Sequence, residues 1–97
     1  MILTQWSPRR SGELRGFVRI QFDTGLIVPG FRVFEGRNGP VVTPPERPIL
    51  QDGRLQRDGN NNPVYMPVAE WKDRQTQDKF SAAIIKLLLE KHPDALQ

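Results

Sequence analysis

An α+β fold is predicted for this chain: an antiparallel meander of four or five strands, followed by one amphipathic C-terminal helix. Three observations predict it. Leu14 to Phe22 alternates apolar and polar side chains at the period of a half-buried strand. Phe31 to Thr43 holds two apolar runs joined through Asn38-Gly39, a dipeptide that favours a tight hairpin turn of type I′. Phe80, Ala83, Ile84, Leu87 and Leu88 stand at i, i+3, i+4, i+7 and i+8, one apolar stripe of a helix.

Taken in order, residues 1–13 carry no sustained period. Ile2 and Leu3 are expected as a short edge strand ended by Pro8, and the rest of this segment as a weakly ordered tail. In the next strand Leu14, Gly16, Val18, Ile20 and Phe22 face one way, while Arg15, Phe17, Arg19 and Gln21 face the other. Asp23-Thr24-Gly25 is a turn, Leu26 to Val28 a second short strand, and Pro29-Gly30 a bend or bulge before the hairpin. Residues 44–62 are dense in Pro, Gly, Asp and Asn and are expected to form a mobile loop, with a small hairpin around Asp52-Gly53. Pro63 to Val68 reads as a last strand lying at an edge. Thr76 is the expected helix N-cap, Lys91 and His92 suit the negative helix end, and Pro93 forbids continuation, leaving 93–97 as a loose tail.

The 97 residues form a single domain, 1–97, with 37% apolar residues, enough for one modest core. A domain this small gains from a dimer interface. There is no cysteine, which removes disulfides and thiolate metal sites and fits a reducing cytoplasm. No signal-peptide core follows Met1, and the longest apolar run, Ala82 to Leu89, is interrupted by Lys86 and too short for a bilayer. A cytoplasmic protein without membrane association is expected. Fourteen basic against eleven acidic residues give a net charge of +3, compatible with nucleic acid but not diagnostic of it.

Catalysis finds little support. The single histidine, His92, sits at a helix end with no nucleophile or carboxylate placed by local spacing to work with it. No phosphate loop, nucleophile elbow or metal-ligand spacing is present, so no enzyme activity, cofactor, metal or small-molecule substrate is expected. The cations carry more information. Lys72, Lys79 and Lys86 recur every seven residues, a nearly straight stripe on a continuous helix, with Arg74 close to its start. Cations beside the free N–H groups of a helix N-terminus suit phosphate; a solvated face with i,i+4 pairs such as Arg74–Asp78 is the plainer reading. A second cluster, Arg15, Phe17, Arg19 and Arg32, interleaves rings and guanidinium groups on the outer sheet face, suited to single-stranded bases or to burial by protein. Pro44-Pro45-Glu46-Arg47-Pro48 reads as a rigid loop exit in preference to a polyproline ligand.

Phe31-Arg32-Val33-Phe34-Glu35-Gly36, Asn38-Gly39, Val41-Val42, Pro45 and Arg47 together resemble the core of the SpoVG family (stage V sporulation protein G, or septation protein). Asp52-Gly53, Lys79-Phe80 and Ala83-Ile84-Ile85 match its later positions, so the resemblance runs from about Leu14 to Leu88. It implies a small sheet with a helix, a homodimer formed by strand pairing, and a gene regulator that binds DNA and RNA. It also implies nucleic-acid contacts from basic residues near the helix start, where Lys79 matches, and from the loop, where Arg47 matches. The family's arginine shortly before the helix falls at Gln77 here, with Arg74 three residues earlier. Arg47, Lys72, Arg74, Lys79 and Lys86 are thus the candidate nucleic-acid contacts, and Arg15, Phe17, Arg19 and Arg32 a possible secondary face. The rival expectation is a protein-interaction module that offers an edge strand or the Phe17/Phe34 face and has no nucleic-acid role.

Overall fold

A computed structural model describes residues 1–97. Four strands form one antiparallel sheet in sequence order: β1 (Ile2–Ser11), β2 (Leu14–Gln21), β3 (Ile27–Gly36) and β4 (Gly39–Thr43). One helix, α1 (Arg74–Lys91), lies across its inner face from β4 to β1. The fold is α+β, as the alternation and the helical stripe predict.

Period-two burial makes the inner face. Val18, Ile20, Phe31, Val33 and Val42 are buried on the sheet, and Ile84, Ile85 and Leu88 cover them from α1. Ile20, Ile84 and Leu88 are wholly excluded from solvent. Each contributes about 1.5–3 kcal/mol against an extended chain. Phe80 joins an aromatic group with Phe31 (5.2 Å between centroids), Phe22 (6.2 Å) and Trp71 (4.7 Å), which pins the chain just ahead of the helix to the sheet.

Several expectations are corrected. The N-terminal segment is not a stub ended by Pro8: β1 runs through Ser11 at the free edge of the sheet, where Pro8 keeps its ladder place opposite Gly16. Leu3 is buried, and Trp6 reaches over the backbone of Gly16. Leu26–Val28 and the hairpin strand are one element, β3, with a bulge at Pro29-Gly30 where Gly30 takes φ +83°. In the β3–β4 hairpin Arg37 and Asn38 are the turn residues and Gly39 carries the positive φ, +101°, so the turn is not type I′ across Asn38-Gly39. The type I′ pattern appears instead at Asp52-Gly53, with φ of +52° and +76°.

Residues 44–68 build a separate ribbon. Strands β5 (Glu46–Pro48) and β8 (Tyr65–Pro67) pair at its root, and β6 (Leu50–Gln51) with β7 (Arg54–Leu55) at its tip. Backbone hydrogen bonds from Ile49 to Val64, Gln56 to Ile49 and Val64 to Gln56 knit the three runs together. The expected last strand therefore lies outside the main sheet. Leu50, Leu55, Tyr65, Met66 and Val68 are all exposed on or beside the ribbon.

At the helix start the N-cap is Asp73, not Thr76: Asp73 Oδ1 accepts the Thr76 backbone N–H at 2.7 Å. The Thr76 side chain and backbone both hold the Asp73 carboxyl below its ordinary pKa. Lys72 consequently precedes the helix. The buried stripe is also rotated from the expected one, since Ala83 is exposed while Ser81 and Ile85 are buried. At the other end Ala95 is buried in the core, so the C-terminal tail is packed.

Candidate nucleic-acid interface

The two edges of the sheet are treated differently, and this sets the site. On β4, Ser81 Oγ accepts the Val42 N–H at 3.0 Å, and its hydroxyl faces the Val42 carbonyl at 3.4 Å. The helix thereby satisfies part of the β4 edge and brings its first two turns beside the Arg37-Asn38 turn. A depression results between hairpin and helix, about 580 Å³ on the Lys86 side and about 480 Å³ on the Glu13 side. Both parts are lined by Asn38, Pro40, Arg74 and Asp78.

Arg74 and Lys86 border the Lys86 side of this groove from points about 18 Å apart along α1, and Arg37 and Arg74 border its Glu13 side. Asp78 and Glu13 supply the opposing charges, leaving three cations against two carboxylates. The Arg74 Nε–Asp78 Oδ1 pair spans 3.4 Å, with 84% and 61% of the two side chains exposed. Such a surface pair contributes at most about 1 kcal/mol and is screened by salt. Arg74 remains available to another anion.

The other candidates do not converge there. Lys79 lies only about 20° round the helix from Lys86 and opposite Leu88, but two turns nearer the N-terminus, and it lines neither part of the groove. Lys72, in the segment before α1, and Arg47, on β5 opposite Met66, are exposed and line neither part of the groove. The even seven-residue spacing is real, but the sheet meets a different helical face. Arg37, a basic residue inside the exposed hairpin turn and not among the expected candidates, also lines the groove.

The secondary face is divided. Arg15 turns away from it at a β2 bulge and donates to the carbonyls of Gly12 (2.8 Å), Leu14 (3.3 Å) and Leu96 (3.4 Å). Phe17 and Arg32 are cross-strand partners on the outer face. Arg32 Nη1 binds Glu46 Oε1 at 2.8 Å, and its guanidinium lies 5.4 Å from the Phe34 ring centre. Arg19 Nη1 donates to Thr4 Oγ1 at 3.1 Å. Pro45, Glu46 and Tyr65 close over Phe17 and Arg32, so the ribbon root covers part of the second sheet face.

A small α+β protein, with one helix sealing one edge of a four-stranded meander and a ribbon projecting from it, is the class these features define. A protein of Archaeoglobus fulgidus that bears the septation protein SpoVG name is 27% identical to this chain over 86 residues, covering 89% of this chain and 88% of the relative. That likeness runs over nearly the full length of both chains and agrees with the resemblance carried by the hairpin residues. No family model matches it, and no solved structure matches it. No helix is long and apolar enough to cross a membrane.

Proposed function

We propose that this protein is a small, dimeric, cytoplasmic regulator that binds DNA or RNA, chiefly through phosphate contacts. The single observation that carries the reading is that Arg37, Arg74 and Lys86 are spread along one groove between hairpin and helix. Arginine forks suit phosphate oxygens, and an open groove lets a backbone pass. Lys72 and Lys79, exposed near the same helix end, add longer-range attraction. The apolar ribbon positions Leu50, Leu55, Met66 and Val68 support pairing with a second copy, which doubles every contact.

Binding isotherms across salt test the reading. Affinity should fall with a log–log slope of roughly 0.7–0.9 per phosphate neutralised. Arg74→Ala/Lys86→Ala should weaken binding and flatten that slope, whereas Arg47→Ala should do less. A flat salt response in the wild type, or an unchanged slope in the double variant, rejects the proposal. The exposed ribbon also favours a second reading, a protein-interaction module. That reading requires partners retained after nuclease treatment and lost on Leu50→Asp/Leu55→Asp.

A further inference from the structure

A second cleft, remote from the hairpin–helix groove, lies between the outer sheet face and the root of the ribbon. It has a volume of about 430 Å³, with Phe17 and Arg32 on the sheet side and Pro45, Glu46 and Tyr65 on the ribbon side. We propose that it holds one unstacked base of a single-stranded nucleic acid. The inference rests on the nucleic-acid reading above and assigns the ligand class of a separate site.

Four observations converge on a flat, polar-edged ring. Tyr65, the single tyrosine of the chain, is 54% exposed although it faces this cleft, so its ring is free to stack. Phe17 offers a second ring from the sheet and is only half-buried. The Arg32 guanidinium is positioned by Glu46 and Phe34, and the side chain lines the cleft while staying 27% exposed. Its N–H groups not engaged by Glu46 are donors that a ligand acceptor can satisfy. Glu46 engages Arg32 through Oε1 alone, which leaves Oε2 as an acceptor.

A donor and an acceptor set beside aromatic rings match the edge of a nucleobase, which presents both kinds of group. In a duplex those edges and faces are paired and stacked, so only an unpaired base enters. Arg19 lines the adjoining hollow, which shares Phe17 and Gly30 with the cleft, and stands where the strand's phosphate would leave it. Gly30 keeps the passage narrow: at φ +83° it brings the β3 backbone close to Pro45, 3.5 Å from where a Cβ would stand.

The test uses fluorescence anisotropy with two labelled twelve-nucleotide strands, oligo(dA) and a fully abasic strand of equal charge. Proteins are the wild type, Tyr65→Phe and Tyr65→Ala, with oligomeric state checked by light scattering. The wild type and Tyr65→Phe should bind oligo(dA) roughly five- to a hundredfold tighter than the abasic strand, the range expected for one stacked base. Tyr65→Ala should erase that difference and leave abasic binding intact. Equal wild-type affinity for both strands overturns the cleft assignment while the phosphate groove stands. No binding of either strand overturns both. Loss of the dimer in Tyr65→Ala overturns the assignment too, by making the cleft a seat for the second copy.

Discussion

Ser81→Ala isolates the contact that joins helix to sheet edge. Ser81 is 4% exposed and Val42 wholly buried, so removing Oγ strands the Val42 N–H without water or protein to accept it. A buried donor orphaned in this way costs about 1–3 kcal/mol, and the lost volume of one oxygen adds little. For a domain of this size, the midpoint should fall by roughly 10 °C. Urea denaturation of wild type and Ser81→Ala supplies the free-energy difference. Amide exchange supplies the location, because Val42 should lose more protection than Ile20 at the sheet centre. Lys79→Ala, on the solvated side of the same helix, serves as the control and should stay within about 0.5 kcal/mol. A Ser81→Ala loss below about 0.5 kcal/mol, with Val42 exchange unchanged, would refute the role assigned to this serine. The sealed β4 edge, and with it the closeness of helix and hairpin, would then need another cause.

Other perturbations address the remaining parts of the fold. Gly16→Ala places a Cβ 2.5 Å from both the Ser7 carbonyl oxygen and the Trp6 ring, so it should destabilise by about 1–3 kcal/mol; trimming the ring in Trp6→Leu should not rescue it, because the backbone oxygen remains. The depressed Asp73 carboxyl contributes stability above its ordinary value of 3.8, which is lost as pH falls through its lower folded value. Asn at position 73 caps without titrating, so melts should show the wild-type advantage over Asp73→Asn shrinking below about pH 4. Leu50→Asp/Leu55→Asp charges the ribbon tip, where the two leucines pair across strands. Sedimentation should show a monomer whose thermal midpoint in the main sheet is little changed, and an unaltered dimer would remove the ribbon from the interface.

What was legible in the sequence follows the reach of each signal. Alternation from Leu14 to Phe22 and the Phe31–Thr43 hairpin are local patterns, and β2, β4 and the hairpin half of β3 lie where expected. The first strand was hidden because Pro8 and two bulges break its period, while pairing with β2 supplies the order that local pattern lacks. The same reasoning explains Ser81. A serine within an apolar stripe reads as a polar interruption, and only the unpaired Val42 amide across from it makes that position specific. The candidate site was legible in residue type but not in direction. A seven-residue spacing states that Lys79 and Lys86 share a side of the helix; it cannot state which side the sheet occupies. Rotation of the buried stripe toward Ser81 and Ile85 puts Arg74, about 20° round the helix from Ser81, beside the hairpin, while Lys79 and Lys86 share the solvated side and only Lys86 borders the groove. Arg37 then becomes the natural companion of Arg74, although 37 residues separate them in the chain. Whether the protein grips a phosphate backbone thus depends on where one serine docks a helix, more than on the number of lysines along it.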